Sequence, residues 1–168
     1  IAELRGKDAV TVYLELIAEA DASDGRESII ARSMTETDIA ELLSWPYTNV
    51  SSDGGLNGRH PRGYGSFTRV LGRHVRERGE LSLESAIRKM SSLAAENTGL
   101  SERGEIREGY FADLVLFDAE TVLDRATPDE PNLTSVGVVG VWVNGARVYS
   151  AEGVTGNRPG RVLRRVDN

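Results

Sequence analysis

Over residues 8–20, Ala9, Val12, Tyr13, Leu16, Ile17 and Ala20 recur at helical spacing with Glu15 and Glu19 between them. That spacing predicts an amphipathic helix. A short apolar run at 28–34 reads as a buried strand, and Thr35-Glu36-Thr37-Asp38 follows it in the form of a capping box, with Asp in place of Glu. The helix it opens should run to Ser44 and stop at Trp45-Pro46. Residues 47–52 are β-prone and read as a second strand. The resulting order of helix, strand, helix, strand is the grammar of βαβ units joined by right-handed crossovers.

A glycine-rich segment at 53–65 interrupts the pattern. Beyond it Phe67, Val70, Leu71, His74 and Val75 share a face over 67–78, with Gly79 as a stop signal. A further helix should start at Ser82, carry Leu83, Ala86, Ile87, Met90, Leu93 and Ala94 inward, and end near Gly99. The character then changes. Residues 112–117 and 136–143 read as strands, and Asn144-Gly145 before Arg147-Val148-Tyr149 is the strongest short-range hairpin signal. We therefore place a boundary near Leu100, with an α/β part over 1–100 and a β-rich part with its tail over 101–168. No internal repeat is visible.

At 168 residues and 39% hydrophobic, the chain can bury one core, yet it is too short for a closed eight-stranded α/β barrel, which takes about 200 residues or more. A net charge of −6 argues against nucleic acid as a partner. The four arginines between 158 and 165 read as a solvated tail. With no cysteine the chain has no disulfide, thiolate metal site or cysteine nucleophile. The absence of a long apolar run or signal-like start leads to the expectation of a cytoplasmic protein without membrane association. Ile1 in place of methionine leads to the expectation of further sequence upstream.

The chemistry centres on Asp53, which the expected strand would deliver to the mouth of a sheet. There a carboxylate can serve as general base, general acid or metal ligand; alternatively, Asp53-Gly54-Gly55 is an Asx turn. Arg62 can clamp a carboxylate through two parallel hydrogen bonds, or form a surface salt bridge. His60, restrained by Pro61, is a substrate contact or a structural loop residue. His74 is a helix-face residue. Two histidines separated by a helix, with no cysteine, cannot supply the three ligands a hydrolytic metal site needs. No nucleophile elbow, phosphate-binding loop or dinucleotide fingerprint is present.

The chain resembles the C-terminal part of the N-acyl-D-amino-acid deacylases, the D-aminoacylase group of the metal-dependent amidohydrolases. The blocks that carry the likeness are Ser51-Ser52-Asp53-Gly54, the run from His60-Pro61-Arg62 through Gly63-Tyr64-Gly65 to Gly72, and the helix segment 83–91. Arg103-Gly104, Ala112-Asp113-Leu114-Val115, Val143-Asn144-Gly145 and Thr155-Gly156-Asn157-Arg158-Pro159-Gly160-Arg161 follow in order.

This resemblance implies an α/β chain forming the C-terminal portion of a (β/α)8 barrel, followed by strands of a small β-sandwich. It implies zinc as the cofactor of the complete enzyme and an N-acyl-D-amino acid as its substrate. Asp53 matches the family's catalytic aspartate: it would take a proton from zinc-held water and return it to the leaving amine, and it is also a candidate metal ligand. The remaining ligands would lie outside this chain. Arg62 matches the contact to the substrate α-carboxylate, and His60 is a weaker candidate beside it. The loop between Asp53 and His60 departs from the family's longer, histidine-richer stretch. On this reading the isolated chain is inactive and needs the N-terminal part of the enzyme, or another chain, to cover its open barrel edge. Two alternatives stand: a cyclic amidase of the dihydroorotase or hydantoinase kind, and a non-catalytic assembly fragment.

Overall fold

Asp8 opens the first long helix by accepting a hydrogen bond from the Thr11 N–H at 3.0 Å, which satisfies one of the donors a helix start leaves over. The computed structural model describes residues 1–23, 33–55 and 58–164, which divide into two units, 1–33 and 34–168. In the first, a one-turn helix α1 (Ala2–Arg5) ends on left-handed Gly6 and precedes α2 (Ala9–Ala22). Arg5 bridges to Glu19 at 2.9 Å and Lys7 to Glu15 at 2.5 Å, tying the turn to the helix. The amphipathic face expected over 8–20 buries Val12 but leaves Tyr13 and Ile17 exposed. The strand expected at 28–34 lies outside the described residues but for Ser33 and Met34, which are not in a strand.

The second unit opens with the capping box, formed as the sequence dictates: the Thr35 hydroxyl accepts from the Asp38 N–H, and Asp38 accepts from the Thr35 N–H at 2.7 Å. Helix α3 (Glu36–Ser44) follows and ends at Trp45. Residues 47–52, expected as a strand, form an irregular arm that leaves a turn at Tyr47 and has no ladder. An isolated extended segment cannot satisfy its own backbone groups, and among the described residues no strand adjoins this one. Its main-chain tie to the body is the Val50 N–H donated to Lys89 O at 3.2 Å.

The glycine-rich segment is shorter than its sequence suggests. Helix α4 (Arg62–Arg69) starts directly after Pro61, five residues before the expected start, because Pro61 presets a helical φ of −51°. Gly65 lies within it as a packing residue: a Cβ there would stand 2.8 Å from Asp124 Cβ. The helix runs on into a π-helical stretch, Val70–Glu77, that buries Val70, Leu71 and His74. Helix α5 (Leu83–Met90) begins at a Ser82 cap. The single helix expected to reach Gly99 is broken at Ser91, whose hydroxyl bonds back to Ile87 O at 2.6 Å. Helix α6 (Ser92–Thr98) then ends on left-handed Gly99.

The β-rich part forms an antiparallel sheet in the order β1 (Leu114–Phe117), β2 (Val138–Val143), β3 (Ala146–Ser150), β4 (Gly153–Val154). Asn144 and Gly145, at φ 47° and 80°, make the tight turn the sequence predicts. Leu114 pairs with Trp142 and Leu116 with Gly140, before an irregularity between Leu116 and Phe117 shifts the register. The core joins the π-helical stretch and α5 to the loop after β1: Val70, Leu71, Ala86 and Val122 are buried together, with Val50, Met90 and Phe117 against them. Val115 and Leu116 remain exposed on β1.

Candidate active site

Three sequence-predicted residues, Asp53, His60 and Arg62, meet where the arm passes the start of α4. Asp53 sits at the arm's end in the left-handed region at φ 47°, a conformation that costs energy for any side chain but is among the more accessible to Asp. Its carboxylate forms an ion pair with Arg62, Oδ2 to Nη2 at 2.9 Å, and its main-chain carbonyl accepts a hydrogen bond from Arg62 Nε at 2.8 Å. The Asp53 side chain is 81% exposed and that of Arg62 47%, so the pair adds little to stability. Its importance is orientation: a guanidinium and a carboxylate are aimed at one another across an open surface.

Close packing of backbone brings them together. A Cβ on Gly54 would lie 2.6 Å from the Gly63 Cα, so the arm touches the first turn of α4 where no side chain intervenes. His60 contributes through its ring: Nδ1 accepts the Arg62 N–H at 3.1 Å, capping one of the free donors of α4. This leaves Nε2 to carry the ring proton. His60 thus fixes the backbone of Arg62, two residues on. His74 is a core residue, 4% exposed, with Nδ1 2.6 Å from Glu80 Oε2. The helix start that carries Arg62 is held from the far side by Ser135, whose hydroxyl contacts the Thr68 hydroxyl at 2.6 Å and donates to Tyr64 O at 3.1 Å. Arg69 bridges to Asp124 at 3.1 Å.

A metal finds no cage here. Among the described residues no group of three or more histidine, cysteine, aspartate or glutamate side chains converges. Asp53, the one carboxylate at the site, is engaged by a cation. The donors present therefore do not fit a zinc ion by themselves.

Sequence reasoning overlooked Lys89. It is 2% exposed, and its ammonium donates to the carbonyls of Trp45 and Thr48, the turn that leads into the arm. Burial pushes its pKa below the ordinary lysine range, with Arg88 adding to the effect. A signal was available: Lys89 lies three residues after Ala86 and four before Leu93, on the buried stripe.

Comparison with known proteins gives this geometry its context. The chain is 45% identical over 166 residues to the N-acyl-D-aspartate deacylase of Alcaligenes xylosoxydans xylosoxydans, covering 96% of this chain and 33% of that protein. It is 44% identical over 134 residues to D-aminoacylase of the same organism, covering 79% and 28%. The chain spans about a third of the length of the curated relatives it matches. A solved D-aminoacylase, described as defining a novel subset of amidohydrolases, superposes with a TM-score of 0.75 at 45% identity over 79% of this chain and 28% of that one. An N-acyl-D-glutamate deacylase from Bordetella bronchiseptica, complexed with zinc and a phosphonate mimic of the tetrahedral intermediate, superposes with a TM-score of 0.73 at 49% identity, with the same coverage. The family model described as the amidohydrolase family matches residues 1–149. Since that match runs through the Asp53 arm, the start of α4 and the sheet alike, the chain belongs to the amidohydrolase family.

Proposed function

We propose that this chain supplies the acid/base and carboxylate-binding arms of an enzyme that hydrolyses the amide bond of N-acyl-D-amino acids. The observation that carries the proposal is the pairing of Asp53 with Arg62 at the junction of arm and helix, in a chain 45% identical to a deacylase of that class. Arg62 offers a planar fork to the substrate's α-carboxylate, which takes the place that the Asp53 carboxylate holds here. Asp53, freed from the guanidinium, accepts a proton from the attacking water and returns it to the leaving amine. His60 keeps the Arg62 backbone in register.

Zinc belongs to the complete enzyme, where it would polarise the acyl carbonyl and the water; among the described residues no cluster of three or more ligating side chains is present to hold it. In the same reading, residues 1–100 belong to the end of a (β/α)8 barrel and 101–168 to a small β-sandwich with its tail. The exposed apolar residues of β1 would then be covered by strands from elsewhere in the enzyme.

The test is release of free D-amino acid from N-acetyl-D-amino acids by the complete protein that contains this chain. Asp53→Asn should lower kcat at least about a hundredfold, and Arg62→Ala should raise KM more than it lowers kcat. Normal turnover by the Asp53→Asn variant removes Asp53 from the reaction. Activity on cyclic ureides with none on N-acyl-D-amino acids replaces the substrate class.

A further inference from the structure

A lysine that is 2% exposed calls for a physical explanation, because burying an ammonium without a counter-ion is costly. Among the described residues no carboxylate lies within ion-pair distance of Lys89. Its acceptors are main-chain carbonyls, Trp45 O and Thr48 O, the latter at 3.1 Å. Trp45 caps α3 and Thr48 lies at the beginning of the arm, so one ammonium reinforces the turn between them, which the Thr48 N–H closes by donating to Trp45 O at 3.2 Å. The backbone of the same residue holds the next stretch, since Lys89 O accepts from the Val50 N–H at 3.2 Å. Asn97 of α6 adds a 3.0 Å bond to Asn49. Three residues beyond Val50, Asp53 stands in a left-handed conformation that persists only where its surroundings enforce it.

We infer that Lys89 is a positioning residue: its side chain grips the Trp45–Thr48 turn and its carbonyl grips Val50, and together they aim the arm that presents Asp53. The inference rests on the reading of Asp53 as the group that moves the proton, and it assigns Lys89 no contact with substrate. Arg62 reaches Asp53 itself from α4, whereas the Lys89 hydrogen bonds hold Trp45, Thr48 and Val50, so the two supports grip different stretches of the arm. Losing the Lys89 grip should therefore disturb proton transfer and leave carboxylate binding in place.

The experiment uses the complete protein that contains this chain, with Lys89→Met and, as a variant retaining a donor, Lys89→Gln. For Lys89→Met, kcat on an N-acetyl-D-amino acid should fall about tenfold to a hundredfold, the usual consequence of misplacing a reacting group by about 1 Å, with KM within about twofold of the parent. Lys89→Gln should lie between the two. In an Asp53→Asn background, Lys89→Met should lower kcat by less than about twofold more, because Lys89 acts through the group already removed. Amide hydrogen exchange needs no turnover: the peptide containing residues 47–53 should exchange several-fold faster in Lys89→Met, with α4 unchanged. Parental kcat and exchange in Lys89→Met overturn the inference, as do additive losses in the Asp53→Asn background or faster exchange throughout. Failure of both variants to fold also overturns it, by making Lys89 a residue of general stability. An inactive parent protein refutes the function instead, and the exchange result still decides the grip.

Discussion

Gly137 and Gly145 share a φ of 80°, yet their surroundings differ, and replacing each by alanine separates conformational strain from steric strain. At Gly145 a new Cβ meets nothing within 4 Å, so the cost is that of holding an L side chain in the left-handed region, about 1–2 kcal/mol. At Gly137 the same penalty applies, and the Cβ also falls 2.4 Å from Val122 Cα and 2.5 Å from Val122 N. Backbone cannot swing aside as a flexible side chain can, so the chain around Val122 must move. Val122 is 1% exposed and packs with Val70, Leu71 and Ala86, so that shift adds an overpacking cost of about 1–3 kcal/mol. Gly137 O also accepts the Asp118 N–H at 2.8 Å, a bond the displacement weakens. Gly137→Ala should therefore be destabilising by about 3–4 kcal/mol and Gly145→Ala by about 1–2 kcal/mol. The difference of about 2 kcal/mol is roughly a 30-fold change in the unfolding constant, measured by equilibrium urea denaturation with a shared m-value. Equal losses, or a larger one at Gly145, would refute the steric argument.

Three further outcomes are expected. Val122→Ala removes two methyl groups from a closed core and should lower stability by about 2 kcal/mol by the same denaturation; a change within about 0.5 kcal/mol contradicts the packing described. Thr35→Ala breaks the capping box and should lose about 1 kcal/mol, with reduced helical circular dichroism and the rest of the molecule unaltered. Acid should weaken the fold: Asp38 is held below the usual carboxylate range by the Thr35 N–H and hydroxyl, Asp118 by the Glu120 N–H and the Thr121 hydroxyl, and Glu80 by the His74 ring. These carboxyls bind protons more weakly folded than unfolded, so their stabilisation is complete above the unfolded values near about 4 and lost as pH falls through the lowered ones. The urea midpoint should drop between about pH 5 and pH 3, and a midpoint independent of pH over that interval would contradict the assignment.

Local signals were legible where they close on themselves. The Thr35–Asp38 box, the helix start at Ser82, the Gly99 stop and the Asn144-Gly145 turn form as read, because each is decided by neighbours in sequence. Features that depend on distant partners were not legible. Residues 47–52 carry strand composition but no neighbouring strand among the described residues, so the pattern yields an irregular arm. Gly63 and Gly65 read as loop residues and lie in a helix; the close approaches that need a bare backbone are those of Gly54 to Gly63 and of Gly65 to Asp124. The site was half visible. The glycine-rich segment drew attention to Asp53, His60 and Arg62 and the family resemblance gave them expected roles, whereas Lys89 went unmarked because a lysine on an apolar stripe is ordinarily read as an exposed residue.

The hydroxyl relay from Ser135 through Thr68 to the first turn of α4, with Asp124 clasping Arg69 beside it, runs between parts of the chain about sixty residues apart. Arg62 therefore stands on a platform whose tilt is set from outside its own neighbourhood. On the function proposed above, variation in the irregular stretch 124–135 would retune the angle at which the Arg62 guanidinium is presented, without altering any group that contacts it.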